Sequence, residues 1–347
     1  MTTSLSEKTL APLPMGKLQA HLLDRLLKKL PITDHKLIIP PGIGNDAAGL
    51  EIGNQLIAIT TDPITFTTQQ IGTYSIAVNI NDLACLGCKP QWYSGVLLLP
   101  PGITEYQLEL LWDDLCIALS RYNIQAIGGH TEVTATVNTP VLIGQMIGTV
   151  IGKNLLDLRQ ACAGDEILLI GHIAVEGSAI LAQKRYHDLL PYYHDIELKA
   201  MQNFLENPGI CVWPWVEKIV PHEGLVGFHD PTEGGIATAL HELADTTGCG
   251  ILISEPIPLL PETQKLCKLL SINPLGLLSS GALLAVCKPT ATKQLLRRLS
   301  SVPAKLIGKL TTNSERLLTS SGHYLKLPRY SCDEIVPGLT QPLNNNQ

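Results

Sequence analysis

Residues 55–99 read QLIAITTDPITFTTQQIGTYSIAVNINDLACLGCKPQWYSGVLLL, and this stretch decides the fold class. Residues 55–61 are rich in β-branched and apolar side chains and predict a strand. Residues 71–87, rich in Ala, Ile and Leu, predict a helix, and residues 93–99 a second strand closed by Pro100-Pro101-Gly102. Strand, helix and strand in succession point to an α/β unit. Upstream, helical spacing over 18–30 predicts a helix, and Pro40-Pro41-Gly42-Ile43-Gly44 interrupts the chain. Downstream, Thr104 with Gln107 three residues on is a capping-box signal for a helix running to Arg121. Strands are expected at 124–127 and 140–150. Beyond a polar, glycine-containing stretch at 151–165, strands are expected at 166–170, 250–253, 282–287 and 305–307. Two helices are expected between 174 and 203, one opening near Thr232 and one at 291–299. Both halves mix the two element types, so the fold class expected is α/β (α+β) in two domains, residues 1–155 and 156–335. Residues 336–347 read as a flexible tail.

Composition narrows the function classes. The 347 residues are 45% hydrophobic and 16% charged, with mean hydropathy +0.18, enough to bury a sizeable core and unlike a disordered chain. A net charge of −6 and a pI near 5.9 argue against nucleic acid or an anionic membrane as partner. The apolar stretch 141–156 is broken by Gln145, Lys153, Asn154 and glycines, too short to span a bilayer. The opening MTTSLSEKTLAPLPMGK lacks the apolar run of a signal peptide. Nine scattered cysteines form no framework and fit free thiols in a reducing compartment, so a cytoplasmic location is expected.

Four polar islands interrupt apolar text at expected element ends. They are Gly44-Asn45-Asp46-Ala47-Ala48, Thr60-Thr61-Asp62, Asn79-Ile80-Asn81-Asp82-Leu83 and Gly128-Gly129-His130-Thr131-Glu132. Asp46, Asp62 and Asp82 offer acceptor oxygens; several carboxylates on one point demand a cation, and hard oxygen donors favour Mg²⁺ or Mn²⁺ over zinc. Each Asp could instead cap a helix or a turn, and spacing alone does not show convergence. Later, His229-Asp230-Pro231-Thr232-Glu233-Gly234-Gly235 precedes the helical text IATALHELA. Asp or Thr as a cap and a glycine pair make an anion cradle, with free N–H groups and the dipole end facing a ligand. The alternative is an ordinary capped helix whose glycines permit close packing. No Walker lysine motif and no GxGxxG after a strand occurs. Cys85-Leu86-Gly87-Cys88 is a lone CxxC and reads as packing, as does Cys332. His172, His187, His194, His222 and His241 read as solvated or structural.

Together the islands resemble the superfamily of aminoimidazole ribonucleotide (AIR) synthetase, which includes selenophosphate synthetase, thiamine monophosphate kinase and the hydrogenase maturation factor HypE. The likeness spans about residues 16–335, where GNDAA, TTDPITF, NDLACLGCKP, GGHTEVT and DPTEGG follow in the family's order; residues 236–287 look especially like HypE. The resemblance implies a two-domain PurM-like fold, an N-terminal α/β domain pairing with its copy in a β-barrel-like homodimer core, and a C-terminal α+β domain. It implies ATP in the cleft between them, with Mg²⁺ on Asp46, Asp62, Asp82 and Asp230. It further implies ATP or phosphate contacts from Thr61, Gly128, Gly129, His130, Thr131, Asp230, Thr232, Gly234 and Gly235. Few basic residues stand in these motifs, so divalent cations must neutralise the triphosphate. Three positions depart from the pattern. Asn45 replaces the first Asp of GDDAA, and His130 stands where Asp is frequent. HypE ends in Pro-Arg-Ile-Cys, whereas Leu327-Pro328-Arg329-Tyr330-Ser331-Cys332 is followed by fifteen residues. The expected activity is HypE-like, ATP-dependent phosphoryl transfer to an oxygen of a small or protein-borne substrate, without the terminal carrier cysteine. Thiamine monophosphate kinase and a non-catalytic ATP-binding scaffold are the alternatives.

Overall fold

The structure is a computed structural model and describes residues 12–13, 16–320 and 322–344. After helix α1 (Ala20–Leu27), six strands form the first sheet: β1 (Leu37–Ile39), β2 (Ala48–Ile52), β3 (Gln55–Ile64), β4 (Cys88–Leu99), β5 (Gln125–Val133) and β6 (Val141–Val150). Their order is β1-β2-β3-β6-β4-β5, and only β4 and β5 run parallel. Helices α2 (Ile71–Cys85) and α3 (Glu105–Arg121) belong to this half.

Every residue of α2 is buried. Its text, IGTYSIAVNINDLAC, carries no charge but Asp82 and has no hydrophilic face, and a helix apolar all round needs cover all round. The sheet covers one side; residues 210–212 of the second half cover another. There Asn81 Nδ2 donates to the Ile210 carbonyl at 2.9 Å and Asn81 Oδ1 accepts from Val212 N at 2.8 Å. At the crossing with α3, a Cβ on Gly72 would stand 2.4 Å from the Leu115 backbone, so that position admits only glycine.

The second sheet takes β7 (Glu166–Gly171), β8 (Leu225–His229), β9 (Gly250–Ile253), β10 (Ala282–Cys287), β11 (Ala304–Thr311), β12 (Arg316–Ser320) and β13 (His323–Lys326), in the order β13-β12-β9-β11-β7-β10-β8. Around it stand α4 (Val175–Lys184), α5 (Tyr186–Leu189), α6 (Asp195–Gln202), α7 (Trp213–Ile219), α8 (Gly235–Thr247), α9 (Pro261–Leu270), α10 (Pro289–Arg298) and α11 (Ile335–Thr340). The fold is the two-part mixed α/β arrangement expected from the sequence.

Two local expectations change. Gly128 to Glu132 do not close a strand; they lie inside β5, an edge strand paired to β4 alone and exposed at all nine residues. The stretch read as a tail from 336 forms α11 instead, with Ile335 and Gly338 buried, and Asn344 N bonds the Leu269 carbonyl at 2.9 Å. Ile335, Val336 and Gly338 give that short helix a face to bury, while Leu339 stays exposed; residues 345–347 lie outside the described residues.

Candidate functional site

The four aspartates singled out from the sequence come together. Asp46 lies in the loop before β2, Asp62 in β3, Asp82 near the end of α2 and Asp230 just after β8. One ligand atom each from Asp46, Cys85 and Asp230 lies within 4.8 Å of the others. Thr60 Oγ1 donates to Asp82 Oδ2 at 2.5 Å and lies 3.1 Å from the Asp46 carbonyl oxygen. The Asp62 carboxyl stands close enough to act on Asp82 as well. Burial, and then the carboxylates of Asp62, Asp230 and Asp46, push the Asp82 carboxyl well above the usual carboxylate range. Burial and Asp46 do the same to Asp230, against the opposing charges of His229 and Lys17.

These residues fit a hard divalent cation. Asp230 is 3% exposed, and its Oδ2 is buried with no hydrogen-bond partner, an acceptor that a cation would satisfy. Cys85 Sγ lies 3.7 Å from Asp230 Oδ1, and burial with the surrounding carboxylates raises its thiol pKa strongly. A protonated thiol suits neither zinc nor redox chemistry.

Charged side chains behind the aspartates hold them in place. His229 Nδ1 lies 2.9 Å from Asp46 Oδ2, and its Nε2 lies 3.0 Å from Glu242 Oε2 on α8. Burial disfavours the imidazolium, but the two carboxylates outweigh it and raise the pKa to about 10. Glu242 is lowered to about 2, since His229 and Lys17 overcome its burial. Lys17 Nζ reaches Glu242 Oε1 at 2.9 Å. His229, Glu242, Lys17 and Thr60 were not singled out from the sequence, although His229 and Thr60 stand inside the quoted motifs and Glu242 in the helical text after them.

Other expected contacts fall elsewhere. Thr60 and Asp62 share one face of β3, so the alternation of the strand turns Thr61 to the other, exposed face. Gly128, Gly129, His130 and Thr131 sit on β5, three strand spacings, or about 14 Å, from β3. His130 Nε2 pairs there with Glu132 at 3.2 Å, and Thr131 shares a shallow groove with Trp112 of α3. The glycine turn before α8 is occupied by the chain itself. Gly234 N donates to Asp333 Oδ2 at 2.6 Å and Gly235 N to the Thr232 carbonyl at 3.0 Å. The carboxylate of Asp333, not Asp230 or Thr232, thus takes the place of an anion in the cradle. Asp333 Oδ1 also accepts from Leu278 N and Ile335 N. Beside it, a cavity of about 820 Å³ opens between α1, α8 and residues 329–333, with Lys17, Glu242, Arg329 and Cys332 in its wall.

Residues 44–150 match the N-terminal domain of AIR synthase-related proteins, and residues 163–318 match the C-terminal domain. The chain belongs to the AIR synthase-related family. Within this family it is similar to a protein of Methanocaldococcus jannaschii provisionally named for hydrogenase expression and formation, 29% identical over 85% of this chain and 88% of that one. The carbamoyl dehydratase HypE of Cupriavidus necator is 26% identical over 82% and 80%. A crystal structure of HypE in complex with ATP superposes with TM-score 0.69 at 22% identity, covering 91% of this chain and 96% of that one. The fold of the family and the fold described above agree. Among the described residues no helix is long and apolar enough to cross a membrane.

Proposed function

We propose that this family member is an ATP- and Mg²⁺-dependent enzyme related to HypE, transferring a phosphoryl group to an oxygen of a small or protein-borne substrate. Asp46 and Asp230 offer ligand atoms within 4.8 Å of each other, Asp82 and Asp62 stand beside them, and Asp230 Oδ2 is buried and unpartnered; this gathering of acids carries the proposal. Those four carboxylates would hold Mg²⁺, which when bound neutralises triphosphate charge and orients the transferred group. The protein's own part is positioning. Thr60 fixes the rotamer of Asp82, and the His229 imidazolium, itself gripped by Glu242, orients Asp46. Asn81, one residue before Asp82, ties α2 to the second half and so sets the distance between Asp82 and Asp230.

Cys332 does not suit the role of a swinging carrier. Asp333, the next residue, is pinned by three backbone N–H groups, which fixes the thiol's backbone at the cavity wall.

A homodimer built on the first sheet belongs to the same proposal. An exposed edge strand is a template for pairing, and Ile127, Val133, Tyr106, Leu110, Trp112 and Ile117 leave apolar area uncovered beside it. Residues 128–131 are far from the aspartates of their own chain, so their phosphate role needs that second copy. The nine free cysteines suit a cytoplasmic setting.

Titration calorimetry with ATP, with and without Mg²⁺, tests the core of this. Saturable binding that needs Mg²⁺ is expected, and Asp230→Asn should weaken it by about tenfold or more while the fold persists. Absence of binding at millimolar ATP would refute the proposal; unfolding of Asp230→Asn would make Asp230 structural.

A further inference from the structure

The acid cluster has a counter-charge fastened over it by a separate piece of chain. Lys17 Nζ bonds Glu242 Oε1 at 2.9 Å, and partial burial of the ammonium is more than offset by Glu242, Asp46 and Asp230, which raise its pKa. The Lys17 backbone N–H donates to Glu233 Oε1 at 2.7 Å. Gly16, at φ +109, approaches the same oxygen so closely that a Cβ would stand 2.4 Å from it. Residues 16–17, just ahead of α1, are therefore strapped to the glycine turn and to α8. The two ends of the ion pair differ in freedom: the Lys17 side chain is 44% exposed and that of Glu242 13%. Glu242 is also held by His229, while the Lys17 ammonium has open cavity beside it.

We infer that Lys17 is a displaceable cation gate, its ammonium neutralising the acid cluster until a divalent cation enters and drives the strap off Glu242. The gate presupposes the metal role proposed for the four aspartates. Lys17 reaches the cluster through Glu242 and His229, which link it to Asp46, and like charges repel over that short span, so a divalent cation on the aspartates loosens the lysine or is itself held more weakly. Gly16 is the natural pivot, since φ +109 is open to glycine and strained for other residues. The released ammonium has room to move into the cavity of about 820 Å³ that Lys17 already borders.

Mn²⁺ binding to the full chain, without nucleotide and at low salt, tests the gate by electron paramagnetic resonance. Lys17→Met should bind Mn²⁺ about three- to tenfold more tightly than wild type, Lys17→Arg should stay within about twofold, and the difference should shrink at high salt. A second arm needs no variant: trypsin should cut wild-type protein after Lys17 faster when Mn²⁺ is present. Equal Mn²⁺ affinity in wild type and Lys17→Met, with unchanged trypsin cleavage, would overturn the gate and leave the metal site standing. Weaker binding by Lys17→Met would also overturn it, making the lysine a builder of the site. No Mn²⁺ binding by either protein would overturn both the gate and the metal assignment.

Discussion

Glu176 shows how one buried side chain sets a pH dependence. It opens α4 at 7% exposure, and its Oε2 has no hydrogen-bond partner. Burial raises its carboxyl to about 7, against hydrogen bonds from Ser280 and with a further push from Asp333. The folded pKa lies above the ordinary value of 4.5, so the folded state holds the proton more tightly. The stability this gives is complete below about pH 4.5 and is lost as pH rises through about 7. Between pH 5 and pH 8 the wild type should lose on the order of 1–3 kcal/mol more unfolding free energy than Glu176→Gln. Denaturant melts at the two pH values measure this, and parallel losses in both proteins would refute it. At this scale the sequence was legible wherever a carboxylate interrupts apolar text: Asp46, Asp62, Asp82 and Asp230 stood out because burying an acid without a task is costly. Thr61 was named from the resemblance and Thr60 was not, because the phase of the strand against α2 decides which of the two faces Asp82. Glu242 and Asp333 were hidden because Lys17 and Gly234, which they bind, lie 225 and 99 residues away.

Elements whose signals are local were read well. Thr104 and Gln107 form the expected capping box, with Gln107 N to Thr104 Oγ1 at 3.2 Å and Thr104 N to Gln107 Oε1 at 2.9 Å. Elements capped from afar were not. The start of α2 is held by Asp114 of α3, which accepts from Gly72 N at 2.6 Å and Thr73 N at 3.1 Å, and no nearby residue announces it. Strand β5 belongs to the same class. Its GGHTE text looked like a turn because glycine pairs usually mark one, yet after a register shift at Ile127 it pairs with β4 as extended strand. If that edge is the dimer contact, light scattering at micromolar concentration should give about twice 37.6 kDa. Ile127→Lys, a charge on the open edge, should give a monomer with an unchanged melting temperature. A wild-type monomer would refute the homodimer, and an unaffected dimer in Ile127→Lys would place the contact elsewhere.

At the scale of the molecule, α2 is shared property. It completes the core of the first half and, through Asn81, Ile210 and Val212, the seam with the second. Lys153 and Asn154 are exposed, so a break in the backbone there would remove nothing that is packed. Expressed as two polypeptides divided at that point, each half should be unstable alone, the first because one side of α2 would meet water. Produced together, the halves should find each other and co-purify through a tag on either. A first half that is monodisperse and melts cooperatively by itself would contradict this. A gene interrupted at codon 153 could thus still yield a working assembly from two open reading frames, whereas an interruption inside 71–85 would leave neither product a surface to recognise the other by.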